Sequence, residues 1–279
     1  MSYSAEINRE QPGLFIFLID QSKSMDDKWG IDTNKSLSQG TADALNKLLH
    51  DLIIRSTKSD GVRAYFDVAL IGYGGKVNSA LSNFSLDELP TSLDKIANTR
   101  MEKRMQKVED GAGGVVEVEV KIPVWVDPVA NGPTHMCGAL NTVVDMLEAW
   151  IPDHQTSFPP IVVNITDGKP TDGNPESIAD KIRKISTNDG NVLLFNIHLS
   201  SSREASLLYP SSEDQVHDDF GKSLFRMSSV LPEIMIEQAS GENYPIDNTA
   251  RGFAFNADLV TLITFLDIGT RGVREKVAD

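Results

Sequence analysis

Cysteine is nearly absent. Cys137 is the only one in 279 residues, which excludes an intramolecular disulfide and any thiolate cluster that would hold zinc or iron–sulfur. Histidine is scarce too, and His50, His135, His154, His198 and His217 show no metal-ligand spacing, so each reads as a packed or solvated side chain. The chain contains no Gly-x-Gly-x-x-Gly, no Gly-x4-Gly-Lys-Ser/Thr and no Gly-x-Ser-x-Gly. It therefore lacks the phosphate cradles of dinucleotide and P-loop proteins and the nucleophile elbow of hydrolases. Positive charge is in deficit, 26 basic against 40 acidic residues for a net charge of -14, which opposes a nucleic-acid backbone or an anionic membrane as partner. The apolar run Leu14–Ile19 is far too short to span a bilayer, and no basic signal-peptide region precedes it. The expectation is a cytoplasmic protein with no membrane and no nucleic-acid association.

With 40% hydrophobic and 24% charged residues, the composition is that of a globular protein with a real core. Leu14–Ile19 has no helical period and ends at Asp20, as a strand buried on both faces does. Leu37, Thr41, Leu45, Leu48 and Leu52 then mark one face of a helix, and residues 65–74 the next strand, with Lys76–Leu81 as its hairpin partner. A second helix stripe runs through Met136, Leu140, Val143, Leu147 and Trp150. Ile161–Ile165 is a strand ending at Thr166-Asp167-Gly168. Pro175, capped by Asn174, opens a helix lined by Ile178, Ile182 and Ile185. Val192–Leu199 reads as strand, Leu224–Gln238 as helix interrupted or restarted at Pro232, and Phe253–Phe255 as a short strand. Asn256 then caps a last helix carrying Leu259, Leu262, Ile263 and Leu266. This alternation predicts an α/β fold, a doubly wound and mostly parallel central sheet with helices on both faces, as a single domain over 1–279. Residues 100–131 break the alternation: the period-two run Val116, Val118, Val120, Ile122 and Val124 after a Gly-rich turn reads as an inserted β-ribbon that lengthens the sheet edge or covers core.

In such a sheet ligands sit outside the carboxyl ends of the strands, where the strand order reverses. The residues at those ends are Asp20, Ser22 and Ser24 after the first strand, Thr134 at a helix start, and Asp167 after the Ile161 strand. They offer only oxygen donors, which hard cations such as Mg²⁺ or Mn²⁺ prefer. Each also has a local reading: Asp20 in an Asx-turn, Ser22 or Ser24 and Thr134 as helix caps, Asp167 shaping a turn. Asp26 and Asp27 read as solvated surface.

The D-x-S-x-S loop Asp20–Ser24, Thr134, and Asp167 in Ile-Thr-Asp-Gly resemble the von Willebrand factor A (vWA, integrin I-like) domains over roughly 14–81 and 132–268. The resemblance implies a metal-ion-dependent adhesion site (MIDAS). There Ser22, Ser24 and Thr134 bind Mg²⁺ or Mn²⁺ directly, Asp20 and Asp167 act largely through water, and an Asp or Glu of a protein partner completes the shell. Val124–Gly132 leading into Thr134–Cys137, and Leu224–Pro232, resemble more narrowly the bacterial A-domain proteins of tellurite-resistance-type operons, which implies a stress or signalling setting with a PP2C-type phosphatase or a protein kinase as partner. One departure is Gly132-Pro133-Thr134-His135, where many relatives have Gly-Gly-Thr-Pro. The expected function is cation-dependent protein binding without catalysis. The alternatives are a metal-assisted phosphohydrolase with Asp20 as nucleophile, disfavoured by Ser22 where a second aspartate would stand, and a scaffold whose site never exchanges its ligand.

Overall fold

The computed structural model describes residues 3–29, 32–109, 114–200, 206–241 and 246–257. Strand β1 (Gly13–Asp20) is buried along its whole length, as its unbroken apolar run requires. It is followed by α1 (Leu37–Ser56), whose cap Ser36 accepts a hydrogen bond from Gln39 N. Gly40 of α1 lies flat against the Trp29 indole, and a Cβ there would overlap the ring. Next come β2 (Phe66–Tyr73) and its antiparallel partner β3 (Val77–Ser79). After the ribbon stand α2 (Met136–Trp150), β6 (Ile161–Thr166), α3 (Glu176–Ile182) and β7 (Leu193–Leu199). Then α4 (Asp219–Met227), α5 (Glu233–Gly241) and β8 (Phe253–Ala257) close the described chain.

The central sheet runs β3-β2-β1-β6-β7-β8, with a two-residue strand, Leu207–Leu208, beyond β8 and another, Thr91–Ser92, on the outer edge of β2. All pairings among β2, β1, β6, β7 and β8 are parallel. In chain order the main strands stand 3-2-1-4-5-6, the doubly wound arrangement. Both side-chain sets of β1 and β6 are buried, so helices cover both faces of the sheet. The order reverses between β1 and β6, and the loops leaving these neighbours diverge to open a crevice at their carboxyl ends.

Local details differ from the sequence reading. Helix α4 starts at Asp219, ahead of Leu224, because Asp218 caps it through Gly221 N at 2.7 Å. Pro232 restarts the helix after Ser228–Leu231 returns to the sheet edge, where Ser229 N donates to Leu194 O at 2.8 Å. The ribbon, β4 (Arg100–Glu109) paired with β5 (Val115–Val124), does not lengthen the central sheet: it pairs with itself as a separate two-stranded sheet. It lies along α1 instead. Trp125 and Val126 at its base are held by the Asn46 side chain, and Arg104 further out pairs with Asp43. The ribbon thus runs along α1 from Asn46 toward Asp43, leaving Val116 and Val118 exposed. The last expected helix lies outside the described residues.

Candidate metal centre

The crevice at the switch point is built by three loops. Asp20 closes β1 as a fully buried carboxylate. Its Oδ1 accepts Ser22 N at 2.8 Å, the Asx-turn expected from sequence, and its Oδ2 accepts Thr166 Oγ1 at 2.6 Å. The turn brings the two serines together: Ser22 Oγ and Ser24 Oγ are 3.1 Å apart, and Ser24 Oγ donates to Asp167 Oδ1 at 2.9 Å. Ser22 makes no side-chain cap to the short 3-10 turn Lys23–Asp26, and the hydroxyls of Ser22 and Ser24 are engaged with each other and with Asp167 instead.

Thr134 is also buried, and it does not cap the helix it precedes. Helix α2 begins at Met136 after His135. A point beside Gly168, where a Cβ would stand, lies 3.7 Å from Ser24 Oγ and 3.9 Å from Thr134 Oγ1. The two hydroxyls therefore lie on the same side of Gly168, each at van der Waals distance from that point. Asp20, Ser22, Ser24, Thr134 and Asp167 stand in loops at one edge of the sheet, and hydrogen bonds tie Asp20 to Ser22 N, Ser22 to Ser24 and Ser24 to Asp167. Asp26 and Asp27 are exposed beside it.

The loops are stitched by their backbones. Asn131 N donates to Gln21 O at 2.6 Å, Gly75 N to Asn131 O at 3.1 Å, and Lys23 N to Gly132 O at 3.0 Å. Gly132 makes this possible: its φ is +85°, and a side chain would strike the Gly75 backbone.

The electrostatics are those of uncompensated anions. Burial raises the Asp20 carboxyl above the usual range, against the hydrogen bonds from Ser22 and Thr166. Asp167 is pushed up to about 6 by burial first and by the charge of Asp20 second. Among the described residues no lysine or arginine pairs with either carboxylate, and no three His, Cys, Asp or Glu side chains form a metal cluster. A donor set of two carboxylates and three hydroxyls suits Mg²⁺ or Mn²⁺, which keep several waters and take few protein charges. The residues present fit such a cation.

Two residues of the site were not singled out in the sequence. Thr166 positions Asp20, and its only signal was a hydroxyl at a strand end beside Asp167. Asp172 accepts Cys137 N at 3.1 Å and Gly138 N at 2.9 Å, although in sequence it reads as an ordinary turn residue before Gly173.

No family model and no curated protein matches the chain. Solved structures similar to it include the vWF domain of the type V pili tip protein Mfa5 from Porphyromonas gingivalis, at 10% identity, covering 98% of this chain and 97% of that one with a TM-score of 0.46. The PilB minor pilin from Streptococcus sanguinis is 13% identical over 95% of this chain and 62% of the pilin, TM-score 0.47. The ArnB paralog VWA2 from Sulfolobus acidocaldarius is 14% identical over 71% of this chain and 37% of the paralog, TM-score 0.37. The chain thus spans less than two thirds of the length of the pilin and of the paralog. No helix among the described residues is long and apolar enough to cross a membrane. The strand order and the helices on both faces of the sheet give the chain a doubly wound α/β fold.

Proposed function

We propose that the crevice is a MIDAS-type site that binds one Mg²⁺ or Mn²⁺ and uses it to capture an Asp or Glu carboxylate of a protein partner. The observation that carries this reading is the meeting of Ser22, Ser24, Thr134, Asp20 and Asp167 at one crevice, where no lysine or arginine among the described residues pairs with either carboxylate. A cation held mainly by hydroxyls and water keeps much of its charge, and so attracts an external carboxylate strongly. Binding is favoured over phosphoryl chemistry by the state of Asp20. Both its oxygens are committed to hydrogen bonds inside the fold, which suits a positioning group better than a nucleophile.

Calorimetric titration of Mg²⁺ and Mn²⁺ into the wild type and a Ser22→Ala, Ser24→Ala double variant tests the site. Binding heat in the wild type and none in the variant is expected, and equal heats in both would end the assignment. Capture of the partner should be lost in EDTA and in Asp167→Ala. A PP2C-type phosphatase and a protein kinase, the partners implied by the sequence resemblance, are the first to assay.

A further inference from the structure

We infer that Asp172 is a positioning residue of the metal site, acting as the N-cap of α2 from a neighbouring loop so that the hydroxyl of Thr134 is left for the cation. This rests on the MIDAS-type reading above. A helix start leaves its first amides without partners, and a Ser, Thr, Asp or Asn just before the helix usually supplies the acceptor. Here the residue in that place is His135, which makes no side-chain cap. The nearest residue able to cap is Thr134, whose hydroxyl would then be consumed.

The structure solves this from outside the segment. The two oxygens of Asp172 accept the consecutive amides Cys137 N and Gly138 N at 3.1 and 2.9 Å, the bonds a local cap would have made. The residue before it does the rest: Thr171 N and Thr171 Oγ1 both donate to Thr134 O, at 2.9 and 3.0 Å. The Thr134 backbone is therefore gripped on its carbonyl and the helix on its amides, while Thr134 Oγ1 borders the space beside Gly168. A single loop, 167–172, presents Asp167 to the site at one end and holds the third hydroxyl donor in place with the other. The negative charge of Asp172 at a helix N-terminus adds to the hold.

Two measurements separate this from a merely structural contact. The first is amide exchange over 134–138 in EDTA. Asp172→Ala should speed exchange at Cys137 and Gly138 by about tenfold or more while distant strands keep their protection, and Asp172→Glu should recover part of it. Unchanged exchange would overturn the clamp. The second is Mn²⁺ affinity in a cycle of Thr134→Ala, Asp172→Ala and the double variant. Each single change should weaken binding by about tenfold, and the double should be little worse than either, since both remove one ligand. Losses that multiply, or an Asp172→Ala protein with wild-type affinity, would overturn the positioning role. If the wild type takes up no cation the metal reading falls, while the exchange comparison still decides the clamp.

Discussion

Thr166 Oγ1 donates a 2.6 Å hydrogen bond to Asp20 Oδ2, joining the carboxyl ends of two adjacent parallel strands whose residues are 146 positions apart. With Ser22 N on the other oxygen, the bond fixes a buried carboxylate at the floor of the crevice and sets where the D-x-S-x-S turn begins. The fold places β1 beside β6; this bond converts that adjacency into a defined site.

Thr166→Val removes the donor at nearly constant volume and leaves one oxygen of a buried carboxylate without its partner. The expected loss of stability is about 1–3 kcal/mol, read from denaturant unfolding in EDTA, together with weaker Mn²⁺ uptake. Thr166→Ser keeps the hydroxyl and should stay close to wild type. A valine variant as stable as wild type would mean that Asp20 is held by other contacts.

Much of this arrangement was legible in the sequence because it depends on patterns that tertiary context does not override. The apolar runs ending at Asp20 and Thr166 are strands buried on both faces, and strand ends in a doubly wound sheet are where ligand residues gather. The stripes Leu37–Leu52 and Met136–Trp150 are long enough for helical period to decide. What escaped were relations between segments distant in sequence. The capping of α2 by Asp172 has no local signature, since a cap is normally sought beside its own helix. The ribbon's alternation shows that it is a hairpin but not what it packs on, and that is settled by Asn46 and Asp43 on α1. Asn164 and Asn196, inside apolar strands, gave no sign that they meet.

Gly40→Ala places a methyl group where the Trp29 ring lies against α1. The Trp29 indole is itself held by a 3.1 Å hydrogen bond to Ala257 O, so the ring has little room to yield. Alanine's better helix propensity should be outweighed by overpacking of about 1–3 kcal/mol. Thermal unfolding checks this: a melting temperature equal to or above that of wild type would show that the indole can shift.

His198 stacks on Phe255 with ring centroids 5.1 Å apart and meets Phe220 edge-on at 5.7 Å. Burial lowers its pKa below the ordinary value, opposed by the charge of Asp218. The unfolded chain then binds more protons than the folded one, so this residue's contribution is present above about pH 6.5 and is lost as pH falls toward the lowered value. Asp167, raised to about 6, contributes with the opposite sign in an overlapping window. The measurable quantity is therefore the difference between wild type and His198→Phe. Between pH 7.5 and 5.5, on the order of the range around the imidazole pKa, the wild type should lose stability relative to the variant. Parallel pH profiles would show that His198 titrates as it does in the unfolded chain.

Tyr73, Asn164, Asn196 and Ser228 form a buried hydrogen-bonded chain across the sheet. Tyr73 OH donates to Asn164 Oδ1 at 2.7 Å, Asn164 Nδ2 to Asn196 Oδ1 at 3.0 Å, Asn196 Nδ2 to Ser228 Oγ at 3.0 Å, and Ser228 Oγ to Leu224 O at 2.8 Å. Each member satisfies the next, and burial holds the Tyr73 phenol well above its ordinary pKa, in its donating form. Asn196→Leu leaves Asn164 Nδ2 with only the weak acceptor Met136 Sδ at 3.9 Å, and Asn164→Leu strands Asn196 Oδ1, so each single change should cost about 1–3 kcal/mol. Changing both removes the two stranded groups at once. Tyr73 OH then falls back on Ile165 O, 3.4 Å away, and Ser228 keeps Leu224 O. The double variant should consequently lose about 1 kcal/mol or more less than the single losses combined, a coupling read from urea unfolding of all four proteins. Strict additivity would show that the two asparagines are satisfied independently and that no chain links the strand carrying Tyr73 to the start of the Ser228 segment.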